Sequence, residues 1–138
     1  MSFRWESYLD VALALAPDAH AVTPSSVSET LALLNAEARY RCAISRAYYA
    51  AMSVCREWIR LNAPDYPLAG DAKEHGDVRG FFLRSGQTDE QAIGHALKQL
   101  AEWRRQADYD AALRLDWKRT AGAALNRAET LCQRIEQP

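Results

Sequence analysis

The stretch RYRCAISRAYYAAMSVCREWIR, residues 39–60, decides the fold. It contains no proline or glycine. Tyr40, Ile44, Ala47, Ala51, Cys55 and Trp58 recur at alternating steps of three and four, with Ala43, Tyr48, Met52 and Ile59 beside them. That is the period of an α-helix with a broad apolar stripe, so the segment predicts a central core helix. Upstream, Ser26-Val27-Ser28-Glu29 has capping-box spacing, and no helix breaker follows until after Asn62. Asn35 is the candidate point for a break, because one uninterrupted helix of this length exceeds most in globular domains.

Outward from this helix the punctuation is regular. A helix is expected over about residues 3–16, where Trp5, Tyr8, Leu9, Ala12, Leu13 and Ala16 share a face; a loop with Pro17 and Pro24 follows. Pro64, Pro67 and Gly70 make residues 61–71 a loop. Asp71-Ala72-Lys73-Glu74 then opens a short helix carrying Val78, Phe81 and Phe82. This element is expected to be the weakest, since Gly76 and Gly80 each cost up to ~1 kcal/mol in a helix. Thr88-Asp89-Glu90-Gln91 reads as another capping box, with Ile93, Ala96, Leu97 and Leu100 following at helical spacing to about residue 107. The last helix begins near Asp116 and presents Ala121, Ala124, Leu125, Ala128, Leu131, Cys132 and Ile135. No segment alternates with the period of a strand. The fold class is all-α, with four to five main helices in a single domain over residues 1–138.

The 138 residues hold 17 Lys+Arg against 18 Asp+Glu, a formal net charge of -1, so the molecule is no general polycation and any nucleic-acid site must be local. The charge is nevertheless sorted: residues 1–38 carry Arg4 against Glu6, Asp10, Asp18, Glu29 and Glu37, whereas residues 39–60 carry five arginines against Glu57. Cys42 and Cys55 would lie about 20 Å apart on one helix at ~1.5 Å per residue, beyond disulfide reach, so reduced, buried thiols are expected. His20, His75 and His95 are scattered, no zinc spacing occurs, and no metal or cofactor is expected. No apolar run approaches the ~18 residues of a membrane span, and Glu6 and Asp10 stand where a signal peptide would be basic and then apolar. A cytoplasmic protein is the expectation.

Two places break the local rules. Arg39, Arg46, Ser53 and Arg60 are seven apart and so share a helix face, with Tyr49 one turn from Arg46. The face is either an anion-facing basic strip or a solvated surface paired with the acidic N-terminal segment. The stripe of Ile93, Leu97 and Leu100 continues at i+4 to Arg104, a guanidinium where another core side chain belongs. Asp108, one turn on, can pair with it and leave donors for a phosphate; the alternative is that Arg104 snorkels from the bundle edge. Arg105 faces a neighbouring direction and Tyr109 follows directly. His75 sits with Val78 and Phe82 on the inward side of its helix, as a satisfied core-edge histidine or as an acid–base group. His95, beside Lys98 and Glu102, faces solvent. There is no Gly-rich phosphate loop, no G-x-S-x-G elbow, no H-E-x-x-H and no EF-hand loop.

The run Arg41-Cys-Ala-Ile-Ser-Arg-Ala-Tyr-Tyr-Ala-Ala51, then His75 with Val78 and Phe81-Phe82, then Leu100-Ala-Glu-Trp-Arg104-Arg-Gln-Ala-Asp-Tyr-Asp110, resembles a prokaryotic HEPN domain of the group with an S-R-A-Y-Y-A helix and an A-D-Y-D ending. The resemblance covers about residues 28–135. It implies an up-and-down helical bundle, commonly a homodimer, of the kind found in toxin–antitoxin, abortive-infection and CRISPR-linked systems. Many such proteins are metal-independent ribonucleases with an R-x4-6-H motif; here Arg104 fills the arginine position and Tyr109 stands where the histidine would be. A tyrosine, with a reference pKa of ~10, is a weak base at neutral pH. The resemblance implies Arg104, Asp108, Tyr109 and His75 as catalytic residues and Arg39, Arg46, Tyr49 and Arg105 as contacts to RNA or a nucleotide. It implies an antitoxin or a nucleotidyltransferase-like protein as partner. Two alternatives stand beside cleavage: a non-catalytic module that binds a nucleotide or such a partner, and a purely structural polar network.

Overall fold

The computed structural model describes residues 29–110 and 115–136, with Leu9, Ala12 and Leu113 besides, and side chains of the long helix from Ala36 onward. Four helices make up this part: α1 (Glu29–Asn62), α2 (Glu74–Leu83), α3 (Thr88–Tyr109) and α4 (Trp117–Glu136). No strand occurs among the described residues, and the arrangement is a helical bundle. The helix expected over residues 3–16 falls outside the described residues except at Leu9 and Ala12, both helical and buried. The Pro17–Pro24 loop and Ser26 also lie outside them.

α1 is the spine, and it passes Asn35 without a break. Its stripe is buried as the spacing predicts: Ala43, Ile44, Ala47, Cys55 and Ile59 are fully enclosed. Burial of Ala50, Ser53 and Val54 as well means that the middle of the helix is enclosed on nearly every side. Small residues make this feasible, because Ala43, Ala47, Ala50, Ala51 and Ser53 let neighbours approach closely. α4 and α3 supply the largest packing surfaces against α1, while α2 lies mainly on α3. One apolar cluster runs through all four helices.

α3 passes close to the end of α2 at Gly94. A Cβ on Gly94 would come within 2.7 Å of the Leu83 backbone nitrogen and 3.0 Å of the Phe82 carbonyl carbon. Backbone atoms cannot rotate away, so only glycine allows this contact. Each large residue that it helps to seat, such as Phe82 or Leu97, contributes about 1.5–3 kcal/mol by leaving water.

The helix starts depart from the expected boxes. Thr88 lies inside the first turn of α3, and Gln87 takes the cap position without a side-chain bond. Ser85 organises this terminus: its Oγ accepts the Gln87 N–H at 3.0 Å and donates to Glu90, and its carbonyl accepts the Gln91 amide at 2.6 Å. The Ser85-Gly86 turn is thus tied to the first turn of α3 by side chains, without a cap bond to the free helix N–H groups. At α2, Asp71 Oδ1 accepts the Lys73 N–H at 2.9 Å, but Glu74 does not reach back. Instead Glu74 is buried, 3.6 Å from Arg60.

Two further expectations are corrected. Cys55 and Cys132 are buried thiols, whereas Cys42 is exposed on α1. The basic strip is also interrupted: Ser53 is 3% exposed, because the shared face of Arg39, Arg46, Ser53 and Arg60 runs through the enclosed middle of α1. No helix is long and apolar enough to cross a membrane.

Gly94→Ala is expected to destabilise the fold by about 1–3 kcal/mol through overpacking, whereas Gly86→Ala, which meets no atom within 4 Å, changes stability little. Urea unfolding of the two variants checks the contrast.

Candidate functional site

α1 and α3 meet along a polar seam built from the two sequence signatures. The last turn of α3 leaves carbonyls with no partner in the helix. Arg41, on α1, meets that need: its Nη1 donates to the carbonyls of Ala107 and Asp110, both at 3.1 Å. Glu37 accepts from its Nε and Nη2, and its guanidinium lies 4.1 Å from the centre of the Trp117 ring. A cation at a helix C-terminus also opposes the helix dipole favourably. One turn further along α1, Ser45 Oγ donates to Asp108 Oδ2 at 3.2 Å.

One more turn brings the tyrosines. Arg104 Nη2 donates to Tyr49 Oη at 2.6 Å, and Arg104 Nε lies 3.1 Å from Asp108 Oδ2. The second contact is a charge contact, since the Nε–H is buried without hydrogen-bond geometry to the carboxylate. The guanidinium also sits 5.8, 5.3 and 5.3 Å from the ring centres of Tyr48, Tyr49 and Tyr109. Burial opposes its charge, but the Tyr49 hydroxyl, Tyr109 and Asp108 outweigh that and hold its pKa above the ordinary arginine value. Of its five N–H donors, only one makes a hydrogen bond among the described residues.

Across the seam, α2 contributes His75. Its Nδ1 is 2.7 Å from the Tyr48 hydroxyl, and its ring stands edge-on to Tyr49. Burial, then Arg104 and Arg79, lower its pKa below 6.5, so the ring is neutral at pH 7. Burial likewise raises the pKa of Tyr48.

These residues wall a cleft of about 610 Å³ between α1, α2 and α3. Its charged lining is Arg79, Lys98, Arg104 and Arg105 against the single carboxylate of Glu102. Arg105 pairs with Glu102, which lowers the pKa of that carboxylate, mainly through the Arg105 hydrogen bond. Arg79 and Lys98 have no ion pair among the described residues. Tyr109 forms the open rim and is 71% exposed.

Among the residues singled out from sequence, His75, Tyr49, Arg104, Arg105, Asp108 and Tyr109 therefore come together. Arg39 and Arg46 do not: neither lines the cleft, Arg46 being exposed on another side of α1 and Arg39 half-buried. Sequence reasoning did not single out Arg41, Ser45, Arg79 or Lys98 for this seam. Arg79 was findable, since it lies one turn beyond His75; Arg41 was not, since its partners are 66 and 69 residues away. His95 is exposed, as its position off the stripe predicts. Among the described residues no three His, Cys, Asp or Glu side chains converge as metal ligands would.

No family model, curated protein or solved structure matches the chain. Chemically the cleft offers many hydrogen-bond donors and few acceptors, the pattern that suits an anion with several oxygens.

Two outcomes are expected here. Arg41→Ala orphans the two carbonyls and should cost about 1–3 kcal/mol in denaturant unfolding. His75 has a folded pKa below its unfolded one, so below about pH 6.5 the unfolded chain binds more protons. Its contribution to stability is present above pH 6.5 and lost as the pH falls below that value and through the lower folded pKa. His75→Gln should flatten this limb of the stability–pH curve relative to wild type.

Proposed function

We propose that this chain is a HEPN-type domain whose cleft between α1, α2 and α3 binds the phosphodiester backbone of RNA. One observation carries the reading: Arg104 is held in place by Tyr49 and Asp108 with most of its donors unengaged, in a cleft where Arg79 and Lys98 lack carboxylate partners. A guanidinium fixed in this way presents a preorganised fork to a phosphate. Several cations along one cleft suit a polyanion better than a single small acid. The exposed Tyr109 ring at the rim offers a surface on which a base can stack. The resemblance of the S-R-A-Y-Y-A and R-x-x-A-D-Y-D runs supports the same reading, since here the two runs meet in one network.

Binding is favoured over cleavage because the cleft is poor in proton acceptors. Asp108 is engaged by Arg104 and Ser45, and Glu102 by Arg105. Tyr109, at the position of the motif histidine, is a phenol with little basicity at neutral pH. A ribonuclease assembled from Arg104, Asp108, Tyr109 and His75 is the second reading, resting on the position of His75 in the same cleft as Arg104. A second copy of the chain, with an antitoxin or a nucleotidyltransferase-like protein, is the partner class that the resemblance suggests.

Fluorescence anisotropy with a labelled RNA oligonucleotide tests the proposal. Salt-sensitive binding is expected, weakened at least tenfold by Arg104→Gln, with Arg79→Gln and Lys98→Gln each lowering the salt slope by about one. Absence of binding at low salt overturns it. Degradation of the RNA in EDTA, lost in Arg104→Gln, moves the reading to a nuclease.

A further inference from the structure

We infer that His75 meets the bound anion as a neutral hydrogen-bond donor: the Tyr48 hydroxyl holds its ring as the tautomer protonated on Nε2, and that N–H is given to a phosphoryl oxygen. The inference deepens the RNA-binding reading and rests on it for the class of ligand.

The Tyr48 side chain is 1% exposed, so a neighbouring protein group is the partner for its hydroxyl proton. The hydroxyl lies 2.7 Å from His75 Nδ1. The other polar groups acting on it are the Arg79 and Arg104 guanidiniums, and these carry only donors. The Tyr49 hydroxyl already accepts from Arg104. Among the described residues Nδ1 is the one acceptor found within hydrogen-bond distance, so the Tyr48 O–H donates to it. A neutral imidazole whose Nδ1 accepts carries its proton on Nε2. The opposite tautomer would turn the hydroxyl proton toward two cations with nothing to receive it.

Charging the ring is resisted from every side but one. Arg56 on α1, Arg79 on α2 and Arg104 on α3 disfavour the imidazolium, and Glu74, its neighbour on α2, favours it. Burial adds to the opposition, and the neutral form prevails at pH 7.

His75 therefore has no free lone pair for abstracting a proton: Nδ1 is occupied by Tyr48, and Nε2 carries hydrogen. Nε2–H is the remaining polar group of a residue that lines the cleft beside Arg79 and Arg104. It adds a directed, uncharged donor to a wall of cations. Tyr48 is the positioning residue, acting through His75.

NMR of the ring nitrogens in ¹⁵N-labelled protein tests this. A bare Nδ1 and a protonated Nε2 are expected for His75 from pH 6.5 to 8, and a protonated Nδ1 overturns the inference. Tyr48→Phe keeps the ring volume and removes the hydroxyl, so the two signals should move toward an averaged tautomer. Unchanged signals remove the role of Tyr48. Inorganic phosphate and a short RNA oligonucleotide are the ligand probes. Either should shift the Nε2 signal, and His75→Ala should weaken RNA binding by roughly 2–10-fold, the value of one neutral hydrogen bond. If phosphate shifts Nε2 but RNA does not bind, the RNA reading fails and the donor role stands. If RNA binds in an Arg104-dependent way while His75 neither shifts nor affects affinity, the donor role fails and the RNA reading stands.

Discussion

Two arginines join the end of α3 to the middle of α1, and the position of every group in the cleft depends on that join. Arg41 reaches from α1 to the last carbonyls of α3, and Arg104 reaches back from α3 to Tyr49. The two act in opposite directions across the same seam, with Ser45 and Asp108 between them. Helix termini are usually satisfied by residues close in sequence or by water. Here a long-range side chain does it, which ties the register of α3 to that of α1. A shift of α1 by one turn would separate Arg104 from Tyr49 and His75 from Tyr48 together.

The electrostatics follow from this register. Tyr48, Tyr49 and His75 are uncharged, and they insulate Arg104 from water on the inner side without neutralising it. Asp108 offsets one positive charge, and Glu102 offsets Arg105. Arg79 and Lys98 are left to give the cleft its sign. In a chain with an overall charge of -1, this cleft thus carries more positive than negative side chains among the described residues.

Much of the fold was legible in the residues. The three-and-four spacing of Tyr40, Ile44, Ala47, Ala51 and Cys55 marked the buried face of α1, and the intrusion of Arg104 into the stripe of α3 marked the seam. Periodicity states which face a residue occupies, not what that face meets. Ser53 illustrates this: the heptad spacing with Arg39, Arg46 and Arg60 was real, yet neighbouring helices cover that face midway. The cap of α3 differed by one residue: the Ser85-Gly86 turn draws Thr88 into the first turn and leaves Gln87 at the cap without a side-chain bond. Lys98 gave no periodic signal, since polar residues on a helix surface look alike until the opposite wall is known, whereas Arg79 stands one turn beyond His75.

Apart from Ala72, every side chain lining the cleft stands on a helix. Sites carried on loops must surrender backbone freedom when a ligand arrives, and that entropy is subtracted from the affinity. This cleft has little to surrender on its α1 and α3 walls. The exception is the α2 wall, a ten-residue helix interrupted by Gly76 and Gly80 and lodged mostly against α3, which carries both His75 and Arg79. A change in the position of that short helix would alter the width of the cleft while leaving the Arg104 side in place, so the α2 wall is where the cleft's width is set.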